Sequence, residues 1–252
     1  MRLERINWKQ AEKYFKNNDM VIIGTGSIEC HGKHVALGTD FLVPGKIIEL
    51  MEPRCDVLIA PTMPYGSCEY LGDFPGTVNL GYDVLYAVMT KITESLYKHG
   101  ARKFLFMNGH GGNNAALEQV CMDLDKKGGM GAVLNWWTLA WTLDPAWKGG
   151  HGGGEETAAM MAIGDDLVDK SLMADNNIKD LTENLKTTGF GSIDFRGFNI
   201  ITRRSVRKMT DNGWIGIDHP TTATKEWGQK MLEGCANYAL DFIEEYKKIK
   251  LN

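Results

Sequence analysis

Four residues in one short stretch carry side chains that could do chemistry together: Glu29, His31, His34 and Asp40, within IGTGSIECHGKHVALGTD. Side chains two apart on an extended chain point the same way, so Glu29 and His31 converge on one point, and a backbone bent at Gly32 and Gly38 brings Asp40 back towards them. Carboxylates with neutral imidazole suit zinc, manganese or iron, and a carboxylate can bridge two ions. The competing reading is a surface loop whose polar side chains cap backbone groups. A second group, Asn108-Gly109-His110-Gly111-Gly112-Asn113, follows the apolar run KFLFM. It lacks the lysine and Ser/Thr of a phosphate loop and the GxGxxG spacing, which leaves His110 as a metal or catalytic histidine, or as part of a plain turn. A third, GGHGGGEET, sets His151 beside Glu155 and Glu156 among five glycines. Acidic residues in a first helical turn are ordinary, but capping alone does not account for a histidine wrapped in glycine. His34, three residues past His31, is read as facing solvent rather than backing a ligand, and His99 and His219 as structural.

These groups need a scaffold that ends several strands at one rim. Trp8, Ala11, Tyr14 and Phe15 fall at helical spacing, and Val21 to Ile23 read as a buried strand. A helix is expected from Pro44 through Met51, then a strand over Asp56 to Ala60, a helix over Leu85 to Tyr97, a strand over Lys103 to Met107 and a helix from Asn113 to Lys126. A further strand is expected over Ala132 to Leu139 with Trp136 and Trp137 at its end, and a long closing helix over Thr222 to Lys247. Short apolar strands alternating with helices of ten to fifteen residues predict an α/β protein, three layers α/β/α with a mainly parallel central sheet. Loops after strand C-termini bind ligands in such folds, so the stretches Glu29 to Asp40, Tyr65 to Thr77 and Asn108 to Asn114 are expected to meet. Met173 to Trp214 is less regular and reads as an inserted hairpin or lid.

Length and composition bound the rest. The chain has 252 residues, 43% of them hydrophobic, and is expected to form one domain. With 28 basic and 32 acidic residues, a net charge of −4, it carries no footprint of nucleic-acid or anionic-membrane binding. No apolar run approaches the roughly 20 residues needed to span a bilayer, and a cytoplasmic location is expected. Five cysteines, widely spaced and without a CxxC pair, indicate neither a disulfide framework nor a structural zinc site. Cys30 lies between Glu29 and His31, but alternation turns it away from both, so packing is its expected role. Trp136, Trp137, Trp141 and Trp147 crowd the segment before the third group, as a wall for a small cyclic substrate or as core.

Taken in order, GSIECHGKHVALGTD, YGSCEYLGDFPGTVNL, NGHGGN, HGGGEET and GWIGIDHPTTATKEWG resemble the signature segments of the creatininase (creatinine amidohydrolase) family across nearly the whole chain. The resemblance implies a single α/β domain, a dinuclear centre of zinc, manganese or iron, and a hexamer or other homo-oligomer. It makes Glu29, Asp40 and His110 ligands of one ion, and His31 with the bridging Asp40 ligands of the other. His151 takes the place of the histidine near the substrate, and Glu156 that of the carboxylate before threonine, the two expected catalytic residues. Creatininases proper carry tyrosine and a metal-binding glutamate after the histidine of NGH, where this chain has Gly111 and Gly112. Glu156 is therefore the candidate last ligand of the second ion, and the departure argues against creatinine itself as substrate. Tyr70 stands where many relatives have histidine, and the chain is two residues longer around Ile217 and His219. Tyr70, Trp137, Gly111 and Gly112 are the expected substrate contacts. Two ions sharing a hydroxide would hydrolyse a cyclic amide or formamide of a small molecule. A keto-inositol ring or a short peptide is the alternative at the same site, and a non-catalytic metal- or sugar-binding protein is the different class.

Overall fold

In β1 (Met20–Thr25) alternate side chains leave on opposite faces, and both faces are buried. Met20 and Ile22 pack with Val43, Ile47, Ile48 and Met51 of α2 (Thr39–Met51), while Val21 and Ile23 pack with Leu85 and Met89 of α3 (Gly81–Lys98). β2 (Leu58–Met63), β3 (Lys103–Asn108) and β4 (Met130–Asn135) complete a four-stranded parallel sheet in the order β2-β1-β3-β4. A strand covered on both faces has no polar side to show, which is why KFLFM reads as a continuous apolar run. The structure, a computed structural model, describes residues 1–251. Its class is the expected one: α/β, with helices on both faces of a parallel sheet.

One layer holds α2, α5 (Trp136–Leu143), α6 (Gly154–Ile163) and α7 (Lys225–Lys247); the other holds α1 (Trp8–Phe15), α3 and α4 (Asn114–Asp125). From β1 the chain crosses to β2 through α2 on one face, and from β3 it crosses to β4 through α4 on the other. The order therefore reverses between β1 and β3, and that reversal opens a crevice beyond their C-terminal ends. Thr25 and Asn108 end the two strands there as register partners, joined by a 3.0 Å hydrogen bond between Thr25 Oγ1 and Asn108 Oδ1.

Three expectations are corrected. The strand read over Ala132 to Leu139 stops at Asn135, and Trp136 begins α5. WWTLAWTL is mostly apolar and continues directly from the β4 run, and so short an apolar stretch does not separate strand from helix by periodicity alone. The helix expected from Pro44 begins at Thr39, with Pro44 inside it and Asp40 in its first turn, where a carboxylate favours the helix dipole. The stretch from 173 to 214 carries a three-stranded antiparallel sheet, not a simple hairpin: β5 (Lys186–Thr188), β6 (Ser192–Phe195) and β7 (Phe198–Ile201). No described helix is long and apolar enough to cross a membrane.

Candidate metal centre

The crevice at the strand reversal gathers all six residues expected to ligate or catalyse: Glu29, His31 and Asp40 from beyond β1, His110 from beyond β3, and His151 with Glu156 from the glycine loop that opens α6. Three imidazoles share one construction. His31 Nδ1 lies 3.0 Å from the Glu29 carbonyl, His110 Nε2 lies 2.8 Å from the Ser67 carbonyl and His151 Nε2 lies 2.7 Å from the Cys30 carbonyl. A carbonyl only accepts, so each ring donates its outer N–H there and turns its other nitrogen inwards. Metal-binding histidines are oriented in this way.

The inward nitrogens face carboxylates. His110 Nδ1 stands 3.3 Å from Glu29 Oε1 and 2.9 Å from Asp40 Oδ2; His31 Nε2 stands 3.0 Å from Asp40 Oδ1 and 3.5 Å from Glu156 Oε2. Two atoms each about 2.1 Å from one tetrahedral ion stand roughly 3.4 Å apart, and these donors, in hydrogen-bond or ion-pair contact at 2.9 to 3.5 Å, are close enough together to share one. Asp40 Oδ2 is buried without a hydrogen-bond partner, since the nearby His110 ring nitrogen is not aligned to donate to it. His31, Asp40 and Glu156 form one group able to hold an ion, and Asp40 offers its second oxygen to His110. The donor set fits divalent zinc, manganese or iron.

Without an ion, protons take the same place. Burial opposes charge on His31, but Asp40 and Glu156 hold its pKa well above the ordinary imidazole value; burial likewise opposes charge on His110, and Glu29 and Asp40 overcome it. Asp40 is buried too, yet His31 and His110 keep its carboxyl well below the usual range. A cation is what this cluster of acceptors demands, and a metal ion would displace those protons. His151 behaves differently: burial and the neighbouring His31 hold it neutral. Burial raises the Glu156 carboxyl to about 7, against the pull of His31.

A cleft of about 770 Å³ opens onto the cluster, within the usual size for a small-molecule site. Tyr70, Gly111, Gly112 and Trp137 line it, as does Trp141, whereas Trp136 is buried core. The Trp137 ring passes over Gly111, 3.8 Å from where a Cβ would stand. At Gly112 a Cβ would lie 2.0 Å from the Ser67 carbonyl and 2.4 Å from His110 Nε2. The backbone here leaves no place for a ligand side chain at position 112, and Glu156 reaches the second group of donors from the opposite loop.

Other contacts were not legible from local sequence. His34 is buried, not solvent-facing. Thr157 Oγ1 donates to the Gly153 carbonyl at 2.6 Å, so it accepts from His34 Nε2 at 3.1 Å, and burial lowers the His34 pKa to about 4. Cys68 Sγ stands with Glu29 and His110 in a third group of donor atoms, bonded at 2.8 Å to Ser27 Oγ. Cys30 packs with Leu71, Phe74, Val206 and Met209, as alternation expects. The glycine loop is moulded around Asp218 from the GWIGIDHP segment. Asp218 Oδ2 accepts from the Glu155 amide at 2.7 Å, and a Cβ on Gly149, Gly153, Gly154 or Gly216 would fall 2.3 to 3.0 Å from its carboxylate. Glu155 accepts from Trp141 Nε1 at 2.8 Å and from the Gly149 amide at 3.2 Å, and burial raises its carboxyl to about 9.

Sequence comparison matches this whole construction to one family: the model described as creatinine amidohydrolase fits residues 4–243. The chain belongs to the creatininase family. Creatininases are hydrolases, and so is this enzyme. The creatinine amidohydrolase of Pseudomonas putida is 28% identical over 265 residues, 95% of each chain. The mycofactocin precursor peptide peptidase of Mycolicibacterium smegmatis is 28% identical over 231 residues, covering 86% of this chain and 83% of its own. A solved creatininase in its manganese form superimposes with a TM-score of 0.78 at 25% identity, covering 98% of this chain and 99% of its own.

Proposed function

We propose that this creatininase-family chain is a dinuclear metal-dependent amidohydrolase that cleaves a C–N bond of a small molecule. The observation that carries the reading is the trio of imidazoles, each fixed by a backbone carbonyl and turned inwards. His31 and His110 face carboxylates close enough to share an ion with them, and the trio stands at the floor of an aromatic-walled cleft. Glu29, Asp40 and His110 would hold one ion; His31, Asp40 and Glu156 the other, with Asp40 shared. When bound, two divalent ions supply Lewis acidity to a carbonyl and acidify a water.

The remaining work falls to the chain's own groups. His151 is neutral, and its inward Nδ1 lies 3.9 Å from Glu29 Oε1 at the edge of the cluster. It is placed to accept the proton of the attacking water and deliver it to the departing amine nitrogen, work that contributes typically about 10² to 10⁴-fold. Its ring is held between His31 at 4.3 Å and the edge of Phe190 at 4.7 Å, centroid to centroid. The Gly152 amide, donating to Glu156 Oε2 at 2.7 Å, fixes that carboxylate towards His31. Trp137 over Gly111 supplies a flat wall for the substrate.

The test is metal content measured with turnover on a panel of cyclic amides, formamides, short peptides and keto-inositols. Two ions per chain, with amide hydrolysis lost on chelation and restored by manganese or zinc, is the expected result. Full turnover in metal-free protein would overturn the reading. Cleavage of peptides or of an inosose alone would move the bond and keep the centre. The name of the M. smegmatis relative favours the peptide among these.

A further inference from the structure

Of the Asp, Glu, Lys and Arg side chains that line the cleft, all are acidic but one. Glu69 and Glu118 line it outside the ligand cluster, and Arg203 alone among its lining residues carries a fixed positive charge. Arg203 sits just past β7 in the antiparallel insert, where the Thr202 amide bonds the Gly191 carbonyl at 2.8 Å and ties the two ends of the β6–β7 pair together. Its guanidinium lies 5.4 Å from the centre of the Tyr70 ring, a cation–π contact that holds the side chain over the cleft wall. Gly191 makes room for it: a Cβ there would stand 2.2 Å from Nη1 and 3.0 Å from Cδ. Among the described residues the Arg203 guanidinium has no hydrogen bond and no ion pair, in contrast to Arg2, which pairs with Glu52, and Arg54, which pairs with Glu233.

An exposed guanidinium beside an aromatic ring, without a hydrogen-bond partner among the described residues, keeps its N–H fork open to a planar anion. Phe190, from the same insert, stands 6.5 Å from Tyr70 and 4.7 Å from His151, so an aromatic path links this cation to the reacting centre. We propose that Arg203 is a specificity residue that binds a free carboxylate at the far end of the substrate, making the preferred substrate an amide that also carries a carboxylate. Two sources share that chemistry, an N-acyl amino acid and the C-terminal residue of a short peptide. Glu69 and Glu118 repel the anion elsewhere on the wall, which orients the substrate with its amide towards the histidines. The inference rests on the amidohydrolase reading for the bond broken, and on Arg203 alone for the charge recognised.

Matched pairs test it on the metal-reconstituted enzyme: N-formylglycine against N-formylglycinamide, and glycylphenylalanine against its C-terminal amide. Binding is read by calorimetry and turnover by amine release. The acid of at least one pair is expected to bind about tenfold to a hundredfold tighter than its amide, the scale of a charge-assisted hydrogen bond. Arg203→Gln should shrink that ratio to within about twofold, and Arg203→Lys, which keeps the charge without the fork, should retain part of it. Preference within the formyl pair identifies an N-acyl amino acid, and within the dipeptide pair a peptide end. Equal binding of acid and amide, binding of neither, or a preference that survives Arg203→Gln overturns the proposal. An Arg203-dependent preference without cleavage would sink the amidohydrolase reading and leave the carboxylate subsite standing; cleavage without preference would do the reverse.

Discussion

At the rim of the parallel sheet Glu29, His31 and Asp40 are 1%, 0% and 2% exposed, whereas in the insert that shares the cleft Phe198 and Ile201 are 72% and 73% exposed. The rim groups come from loops whose ends are pinned by buried strands, and each imidazole has its outer nitrogen committed to a carbonyl. The insert is a short antiparallel meander with a largely wet surface. Such a division would let the proposed metal-binding groups be held rigidly by the core while Phe190 and Arg203 reach the cleft from an exposed insert.

Substitutions on the two sides should therefore part company. The largest effect is expected from Asp40→Asn, which removes the carboxylate proposed to be shared by the two ions. Metal content should fall below one ion per chain, and turnover by roughly a thousandfold, the scale of several kcal/mol of lost charge stabilisation. Retention of two ions would break the shared-ligand assignment.

Next comes acid sensitivity built into the rim. The pKa of His34 falls from its ordinary value of 6.5 to about 4 on folding, so the unfolded chain takes up its proton first as pH drops. Its contribution is complete above about pH 6.5 and is lost towards pH 4, amounting to about 3 kcal/mol for a shift of this size. Urea unfolding should show the stability gap between wild type and His34→Gln narrowing over that window; a gap independent of pH would mean that the ring is not kept neutral.

Gly112→Ala ranks third. Its Cβ must push on the Ser67 carbonyl and His110 together, so metal affinity should drop about 10- to 100-fold, as for lost support of a ligand. Isothermal titration of metal into chelated protein measures this, and unchanged affinity would show that the loop yields freely. The smallest effect is expected in the insert, where Phe198→Ser and Ile201→Ser should shift unfolding by no more than about 0.5 kcal/mol. A larger loss would mean that the insert is coupled to the core after all.

The same contrast governs what can be read without coordinates. Glu29, His31, Asp40 and His110 stand out because chemistry restricts their types and the strand pattern places them beyond strand ends, and His151 and Glu156 because five glycines surround them. Trp136 does not, because a short, mostly apolar octet running on from a strand fits a strand and a helix equally well. His34 misleads for another reason: its partner Thr157 is 123 residues away, and only packing of α6 against the first loop covers the ring. Arg203, inside FNIITRRSVRKM, stays exposed in the fold, and only the folded insert sets it beside Tyr70 at the cleft. Gly112 is legible as a departure, but not as a position closed to any side chain.

The carboxylate of Asp218, around which four glycines are moulded, has a consequence along the chain as well as in space. The loop bearing His151 takes its shape from a residue 67 positions further along the chain, beyond the entire insert. The face of the sheet that carries β1 and β3 is likewise closed by α7, which follows Asp218 in the chain. Both the lid on that core and the template of the histidine loop therefore come from the C-terminal part, so a chain cut short before Asp218 would lack the shape of the loop and the cover of the sheet together.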